Sequence, residues 1–188
     1  MKKIVVIEGV SGAGKDTLMN EMVKREPNTF IKMPSMTSRK MRSGETEGNP
    51  YYFVTGKEFE KRVESGEIFE FTRLVRDDEY RGMSKKIIDT ILDSGKIPLK
   101  DCDHIGLKAL QVEYGKENVI SIFLDVPKKE IEKRIIGRGG NEEDIKARIK
   151  DFEEYIKINR KHYKYHVENI DMEECIKKIC KIIESYLY

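Results

Sequence analysis

Apolar positions along this chain follow two rhythms. Ile4 to Ile7 form an unbroken β-prone run that leads straight into a glycine-rich stretch, as expected of a strand buried on both faces. Beyond the glycines, "KDTLMNEMVKREP" sets Leu18, Met22 and Val23 at helical spacing and stops at Pro27. "TFIKM" predicts a second short strand. The alternation resumes further on, with helix "SKKIIDTILDSG", strand "KIPLKDCD", helix "HIGLKALQVEYG" and strand "NVISIFLDV". Pro98 sits awkwardly in the first of those strands, because proline has no ladder donor. "PKKEIEKRIIGRGG" predicts a helix after Pro127 that ends at paired glycines. "NEEDIKARIKDFEEYIKINRKHY" reads as one long amphipathic helix, and Asp171 opens the last helix. Strands alternating with helices predict an α/β fold around a parallel sheet.

Between Pro34 and about Ser84 the rhythm breaks. This section is rich in Arg, Ser, Gly and Tyr, with a small element "YYFV" and a β-prone run "EIFEFTRLV". Thr55 and Glu58 form a capping box for a helix over "GKEFEKRVESG". This insert and the segment around 127–148 are expected to stand over the carboxyl edge of the sheet, where open α/β sheets bind ligands.

Composition narrows the picture. With 188 residues, 38% of them hydrophobic, the chain suits one domain with a real core, and 37% charged residues indicate a soluble protein. Its 36 basic and 34 acidic side chains leave a net charge of +2. That balance gives no general attraction to nucleic acid or to an anionic membrane, so any positive field is local. Cys102, Cys175 and Cys180 form neither an even disulfide framework nor a metal spacing, which predicts a reduced, cytoplasmic chain. The opening "MKKIVVIEGV" is broken at Glu8, too early for a signal peptide or a membrane span. No repeat or low-complexity segment is present.

The candidate chemistry begins at "EGVSGAGKDT", Glu8 to Thr17, which carries the phosphate-loop pattern G-x-x-x-x-G-K between a strand and a helix. Gly9, Gly12 and Gly14 let successive N–H groups of Ser11, Gly12, Ala13, Gly14, Lys15, Asp16 and Thr17 turn inward toward phosphate oxygens. The helix start adds its dipole, and Lys15 adds a point charge. Chance would produce the pattern roughly 0.05 times in such a chain, so the loop is read as functional. Asp16 is the anomaly. The pattern has Ser or Thr there to bind the nucleotide's Mg²⁺; a carboxylate is a hard ligand too, but it repels phosphate when the metal is away. Asp16 is expected to meet the metal directly or through water, with Thr17 sharing the role.

"PSMTSRKMRSGETEGNPYYF" resembles the guanylate kinase pattern S-x-T-T-R-x-P-R-x-G-E-x-x-G-x-D-Y-x-F, with Ser35, Thr37, Arg39, Arg42, Gly44, Glu45, Gly48, Tyr51 and Phe53 in register. The likeness continues through "GEIFEF" (Glu70), "SGKIPLKDCD" (Asp101, Asp103) and "KRIIGRGGNEEDIKARI" (Arg134, Arg138, Arg148). It implies a P-loop NTPase-type parallel sheet flanked by helices, with a small NMP-binding insert and a lid, all within one domain. The implied division is core 1–33, NMP-binding part 34–84, core 85–126, lid 127–148 and C-terminal core helices 149–188. The implied reaction is Mg²⁺-dependent transfer of the γ-phosphate of ATP to GMP or dGMP, giving GDP and ADP. In that reading Arg39, Arg42 and Tyr51 grip the acceptor phosphate. Glu70, with Asp101 near it, accepts from the two adjacent donors of guanine, and Ser35 serves its oxygen and ring nitrogen. Arg134, Arg138 and Arg148 match lid arginines that close over the triphosphate, "GRGG" at 137–140 suits a hinge, and Asp103 with Asp101 helps hold the hydrated metal. No general base is required, because the acceptor is already an anion. The partners implied are small nucleotides, not nucleic acid or membrane, for a monomer or homodimer.

The sequence departs from the family at several points. Arg81-Gly82-Met83 stands where Y-G-T/S is usual, which removes a tyrosine and a hydroxyl; Tyr80 and Ser84, one residue away, are expected to compensate. Asn49-Pro50 replaces the aspartate before the tyrosine, Met41 replaces a proline, and "KDCD" carries a lysine where an apolar strand residue is common. These changes bear on base recognition, so other nucleoside monophosphate acceptors, or more weakly a ribosyl phosphate, stay open. So does a non-catalytic guanylate-kinase-like domain that binds protein partners. His162 and His166, spaced i, i+4, lack further ligands and predict an exposed helix face; Phe152 and Tyr155 predict packing.

Overall fold

The computed structural model describes residues 2–74, 79–137, 139, 143, 146, 149–150 and 152–187. Its centre is a five-stranded, all-parallel sheet built from β1 (Ile4–Glu8), β2 (Phe30–Lys32), β8 (Ile97–Lys100), β9 (Val119–Asp125) and β10 (Tyr165–Glu168). The strands lie in the order β10-β9-β1-β8-β2. The unbroken apolar run of β1 explains its central place. Val5 and Ile7 face one layer, while Ile4 and Val6 face the other, and all four are buried. The first layer is covered by α1 (Lys15–Arg25), α5 (Lys128–Gly137), α6 (Phe152–Asn159) and α7 (Met172–Glu184), which bring in Leu18, Met22, Ile131, Phe152 and Ile179. The second is covered by α3 (Lys85–Asp93) and α4 (His104–Tyr114), through Ile88, Ile91, Leu107 and Leu110. At roughly 25 cal/mol per Å² of apolar surface removed from water, these two layers supply most of the drive to fold.

Residues 35–84 form a second sheet, with β3 (Ser35–Thr37), β4 (Thr46–Glu47), β5 (Pro50–Phe53), β6 (Ile68–Leu74) and β7 (Glu79–Ser84) in the order β4-β5-β3-β7-β6. The pairs β3–β7 and β6–β7 are antiparallel, and the others parallel. Its own core is small: Met36, Phe59 and Ile68, with Phe59 contributed by α2 (Gly56–Glu64). Thr55 caps that helix, accepting from the Glu58 N–H at 3.2 Å. The reciprocal half of the expected capping box is replaced, because the Glu58 carboxylate bonds Arg62 at 2.5 Å instead.

The described residues alter three expectations. Pro98 lies inside the sheet without loss. Ile97 N–H and Leu99 C=O bond toward β2 at 2.8 Å each, so by alternation position 98 faces β1, whose pairing with β8 begins at Leu99. The expected long helix does not run on to Tyr163. It passes after Asn159 into a 3-10 turn, Arg160–His162, and then into β10, which the sequence reading missed. His162 and His166 therefore do not share a helix face. His162 stacks on His104 at 4.7 Å, and the His166 ring lies on the strand, its Nε2 3.1 Å from the Tyr163 carbonyl oxygen. No helix among the described residues is long and apolar enough to cross a membrane.

Candidate active site

The glycine loop leaves β1 at its carboxyl end and closes into α1. Gly12 and Gly14 adopt φ of 87° and 90°, a left-handed conformation that L side chains rarely take. Gly9 is required for a different reason: a Cβ there would stand 2.9 Å from the Leu124 carbonyl oxygen of the neighbouring strand. Ala13 N–H closes the turn on the Val10 carbonyl at 3.0 Å. Within this curl Lys15 Nζ donates to the Gly9 carbonyl at 2.5 Å and lies 3.4 Å from Glu8 Oε1.

Glu8 is a buried carboxylate at the end of an apolar strand. The Gly9 N–H and the Tyr155 hydroxyl both donate to its Oε1, at 2.9 and 2.7 Å. Burial pushes its carboxyl up; the Lys15 charge and those two hydrogen bonds pull the other way. Tyr155, expected to pack, does so and also holds this acid, and its phenol is raised by burial and by Glu8. Phe152 is core. Ser11, Asp16 and Thr17 are exposed. Asp16 Oδ1 pairs with Lys32 Nζ at 2.6 Å, an arrangement that neutralises the odd acid.

Arg134 reaches back to the loop. One of its terminal nitrogens donates to the Ala13 carbonyl at 3.2 Å and the other to the Asn169 carbonyl at 2.5 Å, while its Nε bonds Glu130. The Asn169 amide nitrogen also donates to Ala13 O, at 2.7 Å, and its Oδ1 is buried without a partner among the described residues. Sequence reasoning missed Asn169; its signal, an Asn just ahead of the Asp171 cap, was too slight to stand out. Arg138 and Arg148, and Gly140 of "GRGG", lie outside the described residues.

Across from the loop the second sheet presents its own cations. Arg39 is buried on strand-end residues, forked onto Glu45 at 2.5 and 2.7 Å, and it stands 4.9 Å over the ring of Tyr51. The Arg42 amide donates to the same carboxylate at 2.8 Å. The Arg39 fork, with the Arg42 amide behind it, holds the Glu45 carboxyl down to about 2. Arg81, absent from the sequence-based site, stands over the same Tyr51 ring at 4.9 Å.

A cavity of about 440 Å³ is lined by Asp16, Lys32, Lys100 and Asp101 from α1 and the carboxyl edge of the central sheet, and by Ser35, Tyr51 and Arg81 from the second sheet. A larger one, about 890 Å³, adjoins it across Lys32, Pro34, Gly48 and Asn49 and runs past Val23, Ile31, Ile87 and Ile91, with Glu58, Arg62, Glu67 and Lys86 also in its wall. Glu70, on β6, is half-buried; burial chiefly, and the charge of Asp103, push its carboxyl up, and Lys100 opposes them. The two expected substitutes do not reach the cavity. Tyr80 points to the opposite face of β7, stacks on Phe59 at 5.1 Å and donates to Glu60 at 2.8 Å. Ser84 is buried; its hydroxyl donates to Glu67 at 3.0 Å and caps α3. A one-residue step along a strand reverses the face, which is why the neighbours of the lost groups cannot replace them. Asp103 caps α4, accepting from Ile105 and Gly106 N–H at 3.0 Å.

Comparison with known proteins extends the likeness over the whole chain. The family model described as guanylate kinase matches residues 1–186. The guanylate kinase of Lactiplantibacillus plantarum is 36% identical over 184 residues, covering 97% of this chain and 87% of that protein. That of Rickettsia felis is 34% identical, covering 96% and 92%. The crystal structure of guanylate kinase from Anaplasma phagocytophilum superposes with a TM-score of 0.69 at 28% identity, over 97% of this chain and 85% of that one. The SH3-kinase fragment of tight junction protein 3 shares the fold alone, with a TM-score of 0.58 at 10% identity over 98% of this chain and 58% of that one. Likeness that runs end to end in sequence and again in three dimensions admits one conclusion: this chain belongs to the guanylate kinase family.

Proposed function

We propose that the protein transfers the γ-phosphoryl group of ATP to GMP or dGMP, forming ADP and GDP or dGDP. One observation carries this reading: the glycine loop's helix start and the cationic second sheet open on the same cavity, so two nucleotides can meet end to end. Phosphoryl transfer asks for alignment and charge compensation more than for covalent chemistry. Loop amides 11–17 and Lys15 hold the donor phosphates. Arg39, Arg42 and Tyr51 seat the acceptor phosphate, with Arg81 as a further cation, while Ser35, Glu70 and Asp101 take the base. Residues 34–84 act as the acceptor-binding part and 127–148 as the lid, from which Arg134, Arg138 and Arg148 would close on the triphosphate and exclude water.

The donor set suits Mg²⁺. Among the described residues no group of three or more His, Cys, Asp or Glu could cage a metal, whereas Mg²⁺ is usually held by one or two protein oxygens with water and phosphate. Asp16 and Thr17 would hold it, with Asp103 through water, and when bound it neutralises charge on the phosphates. Three free cysteines suit a reducing compartment such as the cytoplasm.

The test is ADP formation from ATP against a panel of GMP, dGMP, AMP, CMP and UMP, with and without EDTA. The expected result is metal-dependent turnover with the guanine nucleotides. Preference for another base, or the absence of GMP-dependent ADP, overturns the reading; peptide binding without turnover supports the non-catalytic alternative.

A further inference from the structure

Lys100 ends β8 with its side chain 10% exposed, and it lines the cavity of about 440 Å³. Its Nζ donates to Ser35 Oγ at 2.7 Å and lies 3.9 Å from Asp101 Oδ1, beyond hydrogen-bond reach. Among the described residues that leaves an ammonium with one hydrogen bond where it has three donors to place. Burying such a group without close pairing is costly, so a position like this calls for a ligand acceptor. Glu70 lies close enough to feel its charge. Lys100 thus offers the cavity an ammonium, which only donates, and Glu70, on β6 just outside the lining residues, is a carboxylate within its field, which only accepts when ionised.

We propose that Lys100 is a specificity-determining residue that donates to the exocyclic oxygen of the acceptor purine. This rests on the reading above and deepens it. The Watson–Crick edge of guanine presents one acceptor, the oxygen on C6, followed by two donors, the ring N–H and the exocyclic amine. Lys100 meets the acceptor and Glu70 the donors. Adenine reverses the match, setting an amine against the ammonium and a bare ring nitrogen against the carboxylate. Each mismatch strands a buried polar group, so the site rejects adenine far more strongly than apolar packing would. Met83 adds no polar group here: it is 2% exposed and packs among Ile88, Leu107 and Leu110.

The test pairs Lys100→Met with the 6-thio analogue of GMP, in which sulfur, a weaker acceptor, replaces the oxygen and both donors remain. Binding is read by titration calorimetry and turnover by ADP formation. Lys100→Met is expected to weaken GMP by roughly 10- to 100-fold with the KM for ATP unchanged. The wild type is expected to prefer GMP over its thio analogue, and the variant to lose that preference, because both changes delete the same contact. A GMP-to-thio ratio that is the same in both proteins overturns the proposal. So does a wild type that binds the two ligands equally, a result that needs no variant. GMP binding without turnover counts against the kinase reading while the binding ratios still judge Lys100; no GMP binding at all overturns both.

Discussion

The two sides of the shared cavity are built from different materials. On the loop side the groups that would face phosphate are main-chain amides, fixed by glycine conformations and by strands buried on both faces. Opposite them the working groups are long side chains. Arg39 and Arg81 belong to the second sheet and its loops, whose own core is three buried residues, and are held by an ion pair and ring contacts. Lys100 ends β8 of the central sheet and reaches across to Ser35. A backbone site tolerates change in most of its side chains but little change in geometry. A side-chain site is the reverse: its selectivity can be retuned one residue at a time.

Three substitutions probe that contrast, in falling order of expected effect. Lys15→Met removes the one loop side chain that carries charge to the donor phosphates. It is expected to lower kcat on the order of 10²- to 10³-fold, and a loss under tenfold in ADP formation at saturating nucleotides would make the amides sufficient alone. Glu45→Gln loosens the acceptor side by releasing the Arg39 fork. Because the native carboxyl is held at about 2, against an ordinary 4.5, its stabilising effect is complete above about 4.5 and is lost as pH falls toward 2. The gap in urea midpoint between wild type and variant should therefore shrink across that interval; a gap independent of pH would remove the ion pair from the account. Asp16→Asn should have the smallest effect on stability, about 0.5 kcal/mol or less by denaturant titration, since the Lys32 pair is largely exposed. A several-fold rise in the Mg²⁺ needed for half-maximal rate is expected, and an unchanged requirement would exclude Asp16 from the metal.

The same contrast explains what the sequence disclosed. The strand, glycine loop and helix at 4–25 were legible because local pattern and local structure coincide. Arg39 and Glu45 were legible only through register with a family pattern, since an arginine's partner is not written beside it. Tyr80 and Ser84 were nominated by nearness along the chain, and strand alternation sent both elsewhere. Strand β10 went unseen because it is four residues at a sheet edge with Val167 alone buried, following an uninterrupted helical pattern. Asn169 meets the loop across 156 positions, a contact that exists only once both ends of the sheet are assembled.

Arg134 has a consequence for timing. A solvated arginine recruited to an anion must surrender rotamer freedom worth roughly 2 kcal/mol. This one has already surrendered it, clamped between the carbonyls of Ala13 and Asn169. An arriving polyphosphate would then trade one set of oxygens for another, so the grip would tighten by exchange, and the loop and the chain's last turn before α7 would register occupancy together.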